Sequence, residues 1–292
     1  MPETTHRFDR SSPPTTLLLL CYAALATLSA VNFFVALPVY VNTASFSLLI
    51  IYAGSWRSVA QMCTNFKRVH VDKEEGAAAS IDTIGKEEAM WFPIMAGCVL
   101  CGLYALIKTF GKEVVNPLLL CYMGVGGALS LKQVLTLVPA LKQMDSKKLF
   151  RLKSQRLDLD YEVSGVDFIA LALSYSVVGL YLWTKNWLIN NVVATFFCLH
   201  ALEMMFLGSF KVGFLLLSLL FCYDIFFVFG TDVMLTVAKN IDAPIKLLFP
   251  KDWTADPPQF SLLGLGDIVL PGIFISMCLR FDCVLAFNRQ RA

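Results

Sequence analysis

Two aspartates lie inside segments of the sequence that are otherwise apolar enough to enter a lipid bilayer. Asp224 lies within LLFCYDIFFVFG at 219–230, and Asp267 lies within LLGLGDIVLPGIF at 262–274. An ionisable side chain inside a membrane span costs at least about 2.5–3.5 kcal/mol on insertion scales, so such residues usually serve a function. These two carboxylates are therefore the first candidates for a functional site.

Two carboxylates that share one site repel each other when both are ionised, so the pair is expected to hold a single proton near neutral pH. The ionised member can take a proton from a water molecule that attacks a peptide carbonyl, while the protonated member donates to the carbonyl oxygen. This chemistry uses no metal and no other cofactor, and none is expected. The roles of the two aspartates stay interchangeable, because coupled sites titrate as a pair.

The rest of the sequence predicts the membrane helices that must position the pair. Of the 292 residues, 57% are hydrophobic and only 16% are charged, whereas soluble domains average about 25% charged. The net charge of +2 gives no indication of nucleic acid binding. A spanning helix needs about 20 mostly apolar residues. Eight windows meet this requirement: 17–37, 42–60, 91–110, 117–138, 166–183, 188–207, 211–230 and 262–281.

The first two windows form one uncharged stretch that is about twice as long as a bilayer core is thick. We expect this stretch to fold back near Pro38 and Asn42. Arg7 and Arg10 precede window 17–37, so a cleaved signal peptide is the alternative to a retained span. The absence of a clear small-x-small cleavage step favours the retained span.

The distribution of basic residues predicts the orientation of the bundle. If the spans alternate, lysines and arginines cluster on one side, in segments 61–90 and 139–165 and in the tail after Leu279. The positive-inside rule places this side in the cytosol and segment 231–261 on the luminal or outer side. Asp224 and Asp267 would then lie roughly 8–9 Å below the luminal face on antiparallel neighbouring helices, at a matched depth.

The motifs around the two aspartates resemble a known family. The YD step at 223–224 and the GLGD step at 264–267 are similar to the paired motifs of the intramembrane aspartyl proteases of the presenilin and signal peptide peptidase type. The surrounding text at 223–250 and NWLINN at 186–191 resemble the signal peptide peptidase branch. The resemblance implies that Asp224 and Asp267 are catalytic and that the following residues line the site: Tyr223, Gly264, Leu265 and Gly266.

The resemblance also implies a function and a location. The chain would be an aspartic endopeptidase that cleaves transmembrane peptides, such as signal peptide remnants and type II membrane segments, within the endoplasmic reticulum membrane. Its partners would be membrane-spanning peptide substrates and the lipid bilayer, a homo-oligomer is left open, and nucleic acid is not expected. A proton-coupled carrier also uses paired membrane acids, but the internal repeats that many carriers have are not evident.

The sequence departs from the family pattern at its C-terminal end. Members of the family have nine spans, and the ninth carries a Pro-Ala-Leu motif. The Pro-Ala-Leu at 139–141 precedes both aspartates and is interpreted as a helix-terminating proline. The expected fold is therefore an all-α, multi-pass transmembrane bundle that lacks the last two spans of the family. A truncated, catalytically inactive homologue that binds membrane peptides or partners is the alternative function.

The expected organisation has five parts. These are an N-terminal tail (1–16), N-terminal transmembrane helices (17–138), a basic cytosolic loop (139–165), transmembrane helices carrying the catalytic pair (166–283) and a basic C-terminal tail (284–292).

Other polar residues of the spans are expected to have structural roles. Glu203 is predicted to hydrogen-bond to a neighbouring helix, and Asn190 and Asn191 are predicted to join helices. Asp167, at a span end, is interpreted as a cap or interfacial residue. Segment 233–249 is compatible with an interfacial helix or a plain connecting loop.

Overall fold

The computed structural model describes residues 15–35, 37–74, 83–135, 148–154, 159–231, 244–252 and 259–289, together with Val233 and Val237. This part of the chain contains eight α-helices and two antiparallel β-hairpins. The elements are α1 (Thr15–Phe34), α2 (Val39–Glu74), α3 (Lys86–Phe110), α4 (Lys112–Leu135), β1 (Lys148–Ser154), β2 (Leu159–Ser164), α5 (Gly165–Thr184), α6 (Trp187–Met204), α7 (Phe210–Asp224), β3 (Lys246–Asp252), β4 (Gln259–Gly264) and α8 (Leu265–Arg289).

Several of the helices can cross a membrane. By length and hydropathy, five segments of the described chain meet this requirement: Lys86–Phe110, Gly165–Thr184, Trp187–Met204, Phe210–Phe227 and Leu265–Ala286. Helix α1 contributes a shorter apolar segment, Thr16–Asn32. The predicted multi-pass helical bundle is therefore confirmed.

Helices α1 and α2 form the predicted hairpin. The chain reverses between Phe34 and Val39. Across the turn, the side-chain amides of Asn32 and Asn42 exchange two hydrogen bonds of 2.8 Å each, and both residues are fully buried. Because each buried amide finds its partner in the other helix, the pair fixes how α1 lies against α2.

Several elements extend beyond the predicted windows. Helix α2 continues to Glu74 rather than ending at residue 60, and α8 continues to Arg289, into the predicted tail. The length of an apolar window reflects the thickness of the bilayer, whereas a helix can continue beyond the bilayer into water. Strands β1 and β2 occupy part of the predicted basic loop. The Pro-Ala-Leu at 139–141 lies outside the described residues.

A leucine of α6 joins α2 and α8 at the centre of the bundle. Leu202 is fully buried. A Cβ atom built on Gly54 of α2 would collide with one side of this leucine, and one built on Gly272 of α8 would lie 2.6 Å from its Cδ2. The two glycines therefore allow three helices to approach one another closely around a single side chain, as small residues do in membrane bundles.

A buried ion pair also joins α2 to α6. Nη2 of Arg57 lies 2.7 Å from Oε2 of Glu203, and the two side chains are only 4% and 1% exposed. The predicted interhelical contact of Glu203 is confirmed, and its partner is an arginine on the helix that also packs against α8.

Two hydrogen bonds near this ion pair join α2 to α8. The hydroxyls of Ser55 and Ser276 lie 3.0 Å apart, and Nη1 of Arg280 donates to Oγ of Ser58 over 3.0 Å. The guanidinium of Arg280 also lies over the ring of Phe206, 4.4 Å from its centroid. Arg280, which the sequence places in the basic tail, is therefore a buried contact of α8.

Helix α5 begins with the cap expected at Asp167. The Asp167 carboxylate accepts a hydrogen bond of 2.7 Å from the backbone N–H of Ser164 and forms an ion pair of 2.8 Å with Lys132. This arrangement satisfies a backbone donor at the helix start and joins α4 to α5.

Candidate active site

Asp224 is the last residue of α7, where the helical geometry changes. The next five residues, Ile225–Phe229, form a π-helical turn that ends at Gly230. π-Helical turns within α-helices occur frequently at functional sites, because the extra residue changes the direction of side chains. The Asp224 side chain is exposed in this structure, so the described part of the protein does not cover it.

Asp267 lies in the first turn of α8, immediately after strand β4. The predicted span begins at Leu262, but residues 262–264 belong to β4 and the helix begins at Leu265. The backbone N–H of Gly264 donates a hydrogen bond to the Asp267 carboxylate, so this carboxylate satisfies one of the free donors at the helix start. A Cβ atom on Gly264 would lie 3.2 Å from Oδ2 of Asp267.

The two carboxylates interact electrostatically. Among the contacts of the described residues, no direct hydrogen bond joins them, and Asp267 is exposed like Asp224. The pairing of the two acids stays a prediction, and the structure leaves both of them exposed.

Aromatic packing brings one face of α7 against one face of α8. Phe274 follows Asp267 by seven residues and so lies on the same side of α8. Its ring packs on Gly213, where a Cβ atom would lie 2.6 Å from Cδ2 of Phe274. Gly213 precedes Asp224 by eleven residues, about three full turns of helix, and thus shares its face. By helical periodicity, Asp224 and Asp267 therefore share the faces of α7 and α8 that carry this contact.

A second helix contacts the residues that flank Asp224. The rings of Tyr223 and Phe227 stack with centroids 4.5 Å apart. A Cβ atom on Gly97 of α3 would lie 3.3 Å from the Phe227 ring and 3.7 Å from the Tyr223 ring. Gly97 was not predicted, and a glycine within an apolar span is the only signal that could have indicated it.

The other predicted site-lining residues have different surroundings. Leu265 is buried, and its N–H donates to the carbonyl oxygen of Ile245 over 3.2 Å. Gly266 is exposed and has open space where a side chain would be. Gly264 and Gly266 therefore differ: the first is in close contact with Asp267, and the second leaves room beside it.

Strand β3 provides the support beneath this site. Leu247 and Phe249 are fully buried, and Lys246 of β3 is the register partner of Gly264 at the end of β4. The strand was not predicted, because segment 233–249 was interpreted as a helix or a loop. Within the described residues, Val233 and Val237 are helical and Lys246–Asp252 is a strand.

Asn190 and Asn191 contact this strand rather than another helix. Nδ2 of Asn190 donates to the Lys246 carbonyl over 2.7 Å, and Nδ2 of Asn191 donates to the Leu248 carbonyl over 2.8 Å. The prediction that the two asparagines join helices was therefore wrong. The extended backbone offers carbonyl and amide groups that a neighbouring helix, with its internal hydrogen bonds, does not.

In the part of the chain that the structure describes, no three His, Cys, Asp or Glu residues form a group that could hold a metal ion. The chemical groups that the described site offers are thus two carboxylates, a tyrosine hydroxyl and backbone amides.

Comparison with known proteins gives one consistent result. The family model described as "Signal peptide peptidase" matches residues 76–291. The chain is 40% identical over 257 residues to "Signal peptide peptidase" of Mus musculus and 39% identical to that of Homo sapiens, with 83% of the chain aligned in each case. It spans about 65% of the length of these two relatives.

A third relative is "Intramembrane protease 2" of Caenorhabditis elegans, 39% identical over 193 residues, which are 56% of this chain and 41% of that protein. None of the solved structures matches the chain. Because the family model covers most of the sequence, including both aspartates, the chain belongs to the signal peptide peptidase family.

Proposed function

We propose that this protein is an intramembrane aspartyl endopeptidase in which Asp224 and Asp267 are the catalytic residues. The observation that carries this proposal is the electrostatic interaction of two exposed carboxylates, one at the end of α7 and the other in the first turn of α8. Paired acids within membrane helices are costly, and a structural role would leave them buried against partners. Family membership supports the same assignment.

The proposed reaction uses one protonated and one ionised carboxylate. The ionised aspartate removes a proton from water, whose oxygen forms a bond to the scissile carbonyl carbon. The protonated aspartate donates its proton to the carbonyl oxygen, which limits the negative charge that develops there. When the tetrahedral intermediate collapses, the C–N bond breaks and the amine nitrogen takes the proton that the first aspartate received from water. One hydroxyl of the intermediate returns its proton to the second aspartate as the new carboxyl group forms. Both carboxylates then recover their starting states.

The proposed substrates are transmembrane peptides, such as signal peptide remnants and type II membrane segments, and the proposed location is the endoplasmic reticulum membrane. The names of the mouse and human relatives support signal peptides as the substrate class. Strand β4 ends at Gly264, three residues before Asp267, so the backbone next to the site is extended and not helical. This arrangement suits the substrate class. A helical substrate must be locally unwound before a carbonyl can be attacked, and non-helical backbone at membrane depth is tolerated where it lines a cavity.

Cleavage of a labelled signal peptide by the purified full-length chain in lipid vesicles tests the proposal. The parent protein is expected to release two fragments. Asp224→Ala and Asp267→Ala are each expected to lower the rate by about 10⁴-fold or more, because neither carboxylate can perform both proton transfers.

Asp282→Asn provides the matched control, because Asp282 is also an exposed aspartate of α8 but lies four turns from Asp267. This variant is expected to cleave at the parent rate. If the parent releases no fragments although it is folded and binds the peptide, the protease assignment is rejected in favour of a peptide-binding homologue.

A further inference from the structure

The first turn of α6 holds two asparagines that are almost completely removed from solvent. Asn190 and Asn191 are 1% and 2% exposed. A buried amide is costly unless its donors and acceptor are paired. In this case the partners are backbone groups of strand β3 and the neighbouring amide: Nδ2 of Asn190 also lies 3.2 Å from Oδ1 of Asn191.

Asn191 pairs with strand β3 as a second strand would. Its Oδ1 accepts from the N–H of Leu248, and its Nδ2 donates to the carbonyl of the same residue, both over 2.8 Å. Asn190 donates to the carbonyl of Lys246, two residues earlier. Alternate residues of a strand point their backbone groups to the same side. The side of β3 at Lys246 and Leu248 is therefore held by α6.

The opposite side of β3 leads to the candidate active site. Ile245 is one residue before Lys246, so its carbonyl points to the side opposite those of Lys246 and Leu248. This carbonyl accepts from the N–H of Leu265, the first residue of α8. Leu247 is the register partner of Leu263 in β4, and Lys246 is that of Gly264. Gly264 in turn donates to the Asp267 carboxylate. A chain of backbone contacts thus runs from the two asparagines across one strand to Asp267.

We infer that Asn190 and Asn191 are positioning residues for Asp267. They hold β3 at a fixed height on α6, and β3 fixes the point at which α8 begins and hence the place of the Asp267 carboxylate relative to Asp224. Neither asparagine contacts either carboxylate, so the action is through the hairpin. The inference rests on the proposed function only where it concerns catalytic rate, because the positioning itself is a geometric statement.

The first test measures geometry without activity. In a chain whose nine cysteines are replaced by serine, Asp224→Cys and Asp267→Cys are cross-linked with a short bifunctional maleimide. Asn190→Ala and Asn191→Ala are each expected to slow cross-linking severalfold. Hydrogen exchange at the Leu248 amide is expected to become faster in Asn191→Ala, because Oδ1 of Asn191 accepts from this N–H.

The matched control is the other buried asparagine pair. Asn32 and Asn42 are equally buried and exchange two hydrogen bonds, but they join α1 to α2. Asn32→Ala and Asn42→Ala are expected to lower the melting temperature and to leave both the cross-linking rate and the Leu248 exchange unchanged. Asn191→Gln, which keeps the amide, is expected to stay closer to the parent than Asn191→Ala.

The second test uses the cysteine-containing enzyme. Asn191→Ala is expected to lower kcat by about tenfold to a hundredfold with KM nearly unchanged, since a misplacement of about 1 Å can have this effect. If Asn191→Ala does not fold, Asn190→Ala gives the milder test, because it removes only one hydrogen bond to β3. Parent-like cross-linking in a folded Asn191→Ala or Asn190→Ala variant overturns the inference. An inactive parent with slowed cross-linking in the variants overturns only the proposed function.

Discussion

The Asp267 carboxylate makes two interactions, and the first affects the second. Its carboxylate accepts from the N–H of Gly264 and interacts electrostatically with Asp224. The first interaction is an ordinary helix cap, which satisfies a donor at the start of α8. Because the cap restricts where the carboxylate lies, it also determines how the carboxylate faces α7. The cap at the start of α8 thus limits the positions that the Asp267 carboxylate can take relative to Asp224.

The contact between Gly264 and Asp267 leads to a prediction at the residue scale. In Gly264→Ala, the new Cβ would lie 3.2 Å from Oδ2 of Asp267, so the carboxylate must shift by a few tenths of an ångström. We expect peptide cleavage to fall by roughly tenfold, because proton transfer is sensitive to such displacements. The measurement is kcat for a labelled signal peptide.

Gly179→Ala on α5 is the control for this prediction, since a Cβ atom at Gly179 meets nothing within 4 Å. It is expected to cleave at the parent rate. Parent-like kcat in Gly264→Ala would show that the cap does not control the catalytic geometry.

At the scale of elements, α6 connects the rest of the bundle to the site. Its first turn holds β3 through Asn190 and Asn191. Its last turn holds α2 through Glu203 and packs Leu202 between α2 and α8. Lipid supplies little hydrophobic driving force between helices, so close packing and polar contacts must determine their arrangement. Helix α6 packs closely against α8, which carries Asp267, and makes its polar contacts with α2 and β3.

The packing of Leu202 is expected to couple α6 to α8 energetically. Gly272→Ala would place a Cβ atom 2.6 Å from Cδ2 of Leu202, and overpacking of this kind typically costs about 1–3 kcal/mol. In a Leu202→Ala background the collision is absent, so the same change should cost much less. A double-mutant cycle on the free energy of unfolding in detergent measures this coupling. Additive effects would mean that Leu202 is not the obstacle.

At the scale of the whole molecule, one group of buried polar contacts joins α2 to α6 and α8 at a distance from Asp267. The Arg57–Glu203 ion pair joins α2 to α6. The Ser55–Ser276 hydrogen bond and the one that Ser58 accepts from Arg280 join α2 to α8. Ser276 follows Asp267 by nine residues, so it lies on the opposite side of α8. One side of α8 is therefore held against α2, and the other presents Asp267 toward α7.

The ion pair leads to a stability prediction for the whole bundle. Glu203→Gln leaves the buried charge of Arg57 without its counter-charge and is expected to cost about 3–5 kcal/mol of unfolding free energy. The double variant Arg57→Met/Glu203→Leu removes both charges and is expected to recover most of this loss. Unfolding in detergent, followed by circular dichroism, provides the measurement. A double variant as unstable as Glu203→Gln would contradict this account of the ion pair.

The sequence alone was sufficient for those features that depend on local composition. The predicted windows lie on the eight helices because length and hydropathy are properties of a continuous segment. The fold-back near Asn42, the cap at Asp167 and the helix contact of Glu203 were predictable for the same reason. Asp224 and Asp267 could be singled out because a charge inside an apolar segment is evident without knowledge of its neighbours.

Only the tertiary structure decided which residues meet. Leu248 lies 57 residues from Asn191 in sequence, and nothing local indicates that an amide on a helix will pair with a strand. The same is true of Gly97 beside Phe227 and of Arg57 beside Glu203. The start of α8 at Leu265 rather than Leu262 also depends on β3, because a short apolar segment is compatible with helix or strand until a partner strand is present. The sequence thus determined the membrane helices and the acids they carry, whereas packing between distant segments determined where those acids lie relative to each other.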